Sequence, residues 1–383
     1  MGRGWVDRWA QWIVLAGLIV AVGVAALVGK VTDVPTPPTT TTLPPSTTTT
    51  EATTTTVPPT TTTDAPTTPT VPTTTTTVVE PPVVDPAAWT RASWVPSSSA
   101  SEPTGNFRTF CRPTGLGFID PIVSPGRPSA HLHQIFGNTG TTPDSTYESL
   151  RAGPASTCDG GLLNLTPYWF PAMIDAQGNV VGAERMQIYY KGLGYASGLA
   201  ASQQSIREIT TLPAGLRMVS DRYVWRCENN TNQGSRIPDS CGGSRLLGEV
   251  FFPSCWNGRD LDSADHRSHM AFPTRDPNMG NLRCPDTHPV HLVEITEIVF
   301  YPPATDQAGW RLSSDIAAGA TDGTTLHADW FGAWDPDTLE RWHTHCIREM
   351  RNCGSSQLGD GYSLSGSAAG QPAGRVPDWN PTP

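Results

Sequence analysis

Before Phe107 the chain has neither histidine nor cysteine; all nine histidines and all eight cysteines lie beyond it. A lipid anchor on an N-terminal cysteine is thereby excluded, and the chemically active residues fall in one downstream head. That head has no Cys-x-x-Cys pair, which weighs against a thiolate zinc site. His-Glu-x-x-His is absent, and the loop around Asp260 lacks the spaced oxygens and fixed glycine of a calcium loop. No Gly-x-Ser-x-Gly offers a nucleophile elbow. Gly192-Leu-Gly194-Tyr-Ala-Ser-Gly198 has the wrong glycine spacing for a nucleotide loop, so no nucleotide cofactor is expected. Positive charge is also short: a net charge of -10 opposes binding to a phosphate backbone, and nucleic acid is a poor partner.

What is present divides into tether and head. An uncharged apolar run over residues 12–29 is close to the roughly 18 residues that span a bilayer core, and Arg3 and Arg8 precede it. It predicts residues 1–30 as a cytoplasmic tip and single-pass membrane helix, with the remainder outside the cell. Small residues such as Ala21, Gly23 and Ala25 leave a cleaved signal peptide as the alternative, with the same export. Residues 31–86 are almost wholly threonine and proline, too poor in apolar surface to offset the entropy of ordering, and are read as a disordered stalk. A transition over 87–106 leads to a globular extracellular domain at 107–358 and a disordered tail at 359–383.

Eight cysteines in an exported head argue for disulfides. Local spacing favours Cys227 with Cys241 and Cys346 with Cys353, which leaves Cys255 with Cys284 and Cys111 with Cys158. Eight cysteines still allow about 105 connectivities.

Alternating or β-branched segments at 186–190, 218–227, 246–252 and 292–301 predict strands joined by long loops. One late helix is expected: Asp335 caps it, Pro336 fits its first turn, and Leu339, Trp342, His343, Cys346 and Met350 recur on one face. The fold class is therefore mainly β, a twisted sandwich-like single domain with one late α-helix, held by disulfides.

Histidine spacing selects which rings can cooperate. His131 and His133 share a face if extended, about 7 Å apart. Asp260, Asp262, Asp265, His266 and His269 crowd one loop, and His327-Ala-Asp329 adds a further pair. His131, His133, His266, His269 and His327 are the candidate ligands of a divalent metal, with Asp265 or Asp329 as catalytic base or nucleophile. His343 and His345 fall on the helix and point apart, so they cannot share a ligand. Loop aromatics flanked by amides and carboxylates suit a sugar, with its apolar face and hydroxyl edge; Tyr168, Trp256, Trp330 and Trp334 are the candidate platforms.

The series His131-Leu-His133-Gln-Ile-Phe-Gly, Tyr168-Trp169, Phe252-Pro-Ser-Cys255-Trp256-Asn-Gly258, Asp265-His266-Arg-Ser-His269, Cys284-Pro and His327-Ala-Asp329-Trp330 resembles the secreted family catalogued as domain of unknown function nineteen-ninety-six. The resemblance implies a wall or extracellular polysaccharide context, because that domain often accompanies sugar-binding WSC modules in fungal surface proteins and also occurs in exported bacterial proteins. Two expectations follow: a surface-anchored polysaccharide binder, or an extracellular glycan hydrolase or lyase working through metal or carboxylate. A structural surface protein without catalysis is the third.

Overall fold

The computed structural model describes residues 105–192, 208–275 and 282–364, with strand backbone at Trp89–Arg91 and Arg375–Val376. The expected membrane helix and stalk lie outside the described residues, among which no helix is long and apolar enough to cross a membrane.

The described chain is mainly β, in several sheets. A seven-stranded sheet runs in the order Gln233–Gly234, Tyr223–Cys227, Leu246–Phe251, Glu294–Phe300, Arg185–Lys191, Asn106–Cys111 and Asn352–Cys353. A five-stranded sheet runs Pro113–Gly117, His133–Gly137, Pro167–Pro171, Ala328–Phe331 and Arg217–Ser220, all neighbours antiparallel.

Period-two patterning explains how these sheets meet. Along Arg185–Lys191, Met186, Ile188 and Tyr190 are buried while the residues between them are partly exposed. These three join Phe107, Trp225, Val250, Ile295 and Val299 of the larger sheet and Phe136, Tyr168, Phe170, Met218, Ala328 and Trp330 of the smaller sheet in one core. Each valine, isoleucine, methionine or phenylalanine among them contributes roughly 1.5–3 kcal/mol by leaving water. The opposite face of the five-stranded sheet is buried separately: Ile135, Trp169, Val219 and Phe331 pack with Ile122, Leu150, Leu165 and Ala333. Gly137 closes its strand at φ 82°, where an added Cβ would overlap the Thr166 carbonyl.

The late helix forms over Pro336–Trp342, with the Asp335 carboxylate accepting the Thr338 N–H and proline in the first turn. A π-helical turn over His343–Arg348 continues it, burying His343, Cys346 and Ile347. It is not alone, as the sequence suggested. Tyr147–Arg151 and Ser313–Ala318 are also helical, five and six residues long, too short for apolar periodicity to declare them.

The structure closes four bridges, Cys111–Cys158, Cys227–Cys241, Cys255–Cys284 and Cys346–Cys353, and leaves no cysteine free. Strand pairing also passes the expected limits of 107 and 358. Trp89–Arg91 pairs with Tyr362–Leu364, and Arg375–Val376 pairs with Val180–Val181. Leu364 belongs to the main core and packs against Gly160.

Candidate metal centre

In the five-stranded sheet Phe136 faces the main core, so Ile135 and His133 face the other way. Ala328 and Trp330 are likewise core residues, which turns Asp329 outward, opposite Trp169 in the strand register. His131, just before one strand, and His327, just before the other, arrive over this outer face. The ring centroids of His131 and His133 are 4.4 Å apart, those of His131 and His327 5.0 Å, and those of His133 and His327 5.8 Å. One nitrogen from each ring lies within 4.8 Å of the others.

Local hydrogen bonds fix these positions. Ser129 Oγ donates to the His131 carbonyl at 2.7 Å, and Ser313 Oγ donates to the Leu132 carbonyl at 2.5 Å. The buried Asp315 carboxylate accepts the N–H groups of Leu312, Gly323 and Thr325 and the Thr325 hydroxyl, pinning the turn that delivers His327. His327 Nδ1–H donates to the Thr325 carbonyl at 2.9 Å, which leaves Nε2 as a lone pair. His133 bonds the Ile119 backbone, its Nδ1 lies 3.4 Å from Ser129 Oγ, and its buried Nε2 has no partner. His131 Nε2 stands 3.2 Å from His327 Nε2.

Electrostatics keep the rings neutral. Burial, then the neighbouring His327, lowers His131 to about 3. Burial first and the other two rings second hold His133 well below the ordinary imidazole value, and burial lowers His327. The neutral imidazole is the metal-binding form.

Two of the rings, His131 and His327, line a hollow of about 510 Å³ together with Asp120, Asp329, Tyr223 and Arg267, and His133 is buried beside them. Neither oxygen of the buried Asp329 carboxylate has a hydrogen-bond partner. Burial, with the charge of Asp120 adding to it, raises Asp329 well above the usual carboxylate range. Asp120 is itself buried and oriented by the N–H groups of Ile122 and Val123 at 3.1 and 2.9 Å. Sequence reasoning missed Asp120, Asp315, Tyr223 and Arg267. For Asp315 the sequence carried no capping signature, because the N-cap Leu312 has no side-chain acceptor and only its N–H reaches the Asp315 carboxylate.

The remaining sequence candidates do not join the three histidines. His269 has both nitrogens engaged, Nδ1 at 2.9 Å from Ser263 Oγ and Nε2 donating to the Arg217 carbonyl at 2.7 Å, so it clamps its loop and offers no lone pair. His266 turns its Nδ1 to Asp262 at 2.9 Å. Asp265 is exposed and accepts from the Ser263 hydroxyl and from the N–H groups of Arg267 and Ser268, bonds that hold it well below the usual carboxylate range. It is an ionised turn cap, badly placed to act as a base on the hollow.

Aromatic candidates sit elsewhere too. Tyr168 and Trp330 are sealed in the core, where Tyr190 Oη lies 3.1 Å from the Tyr168 hydroxyl and accepts from Trp330 and Trp334 at 3.4 and 3.1 Å. They lie on the far side of the sheet from the histidines, because Trp330 and Asp329 are successive strand residues. Trp330 and Trp334 edge a separate hollow of about 180 Å³. Trp256 packs half-buried against the core and donates to the Asp260 carbonyl at 2.7 Å.

No curated protein and no solved structure matches the chain. The sequence profile of the Domain of unknown function (DUF1996) matches residues 120–334, more than half of the 383 residues, a span that runs from Asp120 through all three converging histidines. The chain belongs to the DUF1996 family.

Proposed function

We propose that this chain is an extracellular metalloprotein that acts on cell-wall or other extracellular polysaccharide, with a divalent ion, zinc by preference, held by His131, His133 and His327. The observation that carries the reading is the convergence of three neutral imidazoles, two of which, His131 and His327, line a hollow while His133 stands buried beside them. Two nitrogens each about 2.0–2.1 Å from a tetrahedral zinc lie roughly 3.3 Å apart, close to the separation of the His131 and His327 Nε2 atoms. The third nitrogen, from His133, lies within 4.8 Å of the other two. Three histidines leave a fourth position open, the pattern of catalytic rather than structural zinc.

Bound zinc would supply a water whose pKa is lowered to about 7 and so a hydroxide nucleophile near neutrality. The chain's own residues do the rest. Asp329, a buried carboxyl without a hydrogen-bond partner, lines the hollow with Asp120 and is placed to exchange a proton with a guest there. Export is supported by the four disulfides. Attachment to the cell membrane rests on the apolar run at 12–29 and reach on the threonine-proline stretch after it.

The test uses the purified full-length protein. Stoichiometric zinc by elemental mass spectrometry, release of reducing ends from wall polysaccharide, and loss of both in His133→Ala are expected. Retention of polysaccharide without new ends would make this a binder, and absence of stoichiometric metal would remove the centre.

A further inference from the structure

The walls of the histidine hollow differ in chemistry. Besides Asp120 and Asp329, the lining holds Tyr223, Asp221, Arg267 and the Thr324-Thr325 segment. Tyr223 is held by its hydroxyl, which lies 2.9 Å from the Thr324 carbonyl and 3.1 Å from that of Ser235. With the hydroxyl engaged, what the half-exposed residue can still offer a guest is its ring. Val123, 45% exposed, adds an apolar lip.

Arg267 is the basic side chain among the described residues lining this hollow. Its ion partner, Asp221, is 3.3 Å away, with side chains 47% and 70% exposed, a pairing that contributes little in water. A guest carboxylate can therefore replace Asp221 at small cost and gain a planar, two-bonded contact with the guanidinium. A neutral sugar would use the ring and leave the guanidinium on its exposed partner Asp221.

Resting on the metal reading above, we infer that the hollow takes an acidic polysaccharide through a uronate-type unit, its carboxylate on Arg267 and its apolar ring face on Tyr223, next to the three histidines. The site thus combines one aromatic face, one cationic fork and one metal position within a volume suited to a small ligand or a short stretch of chain.

The test compares polygalacturonate with its carboxyl-reduced, neutral counterpart on the zinc-loaded full-length protein. Binding at least tenfold tighter to the acidic polymer is expected, with the preference abolished in Arg267→Gln, partly restored in Arg267→Lys, and both polymers weakened in Tyr223→Leu. Equal binding of the two polymers, or a preference that survives Arg267→Gln, overturns the uronate assignment. Zinc content of the same samples separates the two ideas: metal present without preference overturns this inference alone, and metal absent overturns both.

Discussion

His131 and His327 stand 196 residues apart in the chain and hold their Nε2 atoms 3.2 Å apart. With Nδ1 of His327 donating to Thr325, its Nε2 presents a lone pair to the other ring, and a cation between them satisfies both. Zinc should therefore stabilise the fold. At free zinc one hundred times the dissociation constant the gain is about 2.7 kcal/mol, visible as a rise in unfolding temperature that a chelator reverses. In His327→Ala the zinc-dependent rise should vanish; its persistence would place the metal elsewhere.

Asp315 controls the centre without touching it. Asp315→Ala frees the N–H groups of Gly323 and Thr325 and lets the turn before His327 move. Zinc affinity measured by competition with a chromophoric chelator should fall about 10–100-fold, as it does when supporting groups of metal ligands are lost. Unchanged affinity would mean that the turn is held by other contacts.

Acid should destabilise the domain through histidines far from the centre. Burial lowers His343 to about 4 and His291 to about 2, so the folded state keeps them neutral while the unfolded chain binds a proton below pH 6.5. Stability from these groups is complete above 6.5 and is lost as pH falls toward the folded values, by up to about 1.4 kcal/mol per pH unit for each ring. Denaturant midpoints of His343→Gln measured between pH 4 and 7 should show a shallower slope than the parent.

Glu297 predicts the opposite slope. Its carboxyl is sealed between the two larger sheets, neither oxygen has a partner, and burial, with the charge of Asp329 adding to it, raises it well above the usual range. The folded state holds the proton while the unfolded chain releases it above about pH 4.3, so the stability this group contributes in acid falls as pH rises. Glu297→Gln should gain on the parent by up to about 1.4 kcal/mol for each unit above that point; parallel curves would show an ionised carboxylate with an aqueous partner.

Much of this was legible in the sequence, for physical reasons. Two residues' separation puts side chains of an extended segment on one face, so His131 and His133 could be paired before any coordinates, and Asp335 with Pro336 marked the late helix. The loop at 260–269 has the composition of a ligand set, but composition does not say which side chains are taken up by their own loop. Short polar side chains in loops bond the nearest backbone first, and Asp265 and His269 do so here. The tryptophans misled for a different reason. Every residue of Pro167–Pro171 and Ala328–Phe331 is buried, so no polar alternation separates the face that meets the core from the face that meets the histidines. Asp120 stands alone before Pro121, and nothing in its neighbours marks it.

One consequence follows from the pairing of Trp89–Arg91 with Tyr362–Leu364. The strand that leads into the fold lies beside one close to its end, so a body spanning residues 89–364, spliced into a surface loop of a host protein, would keep its two ends together and give up only the pairing of Arg375–Val376 with Val180–Val181.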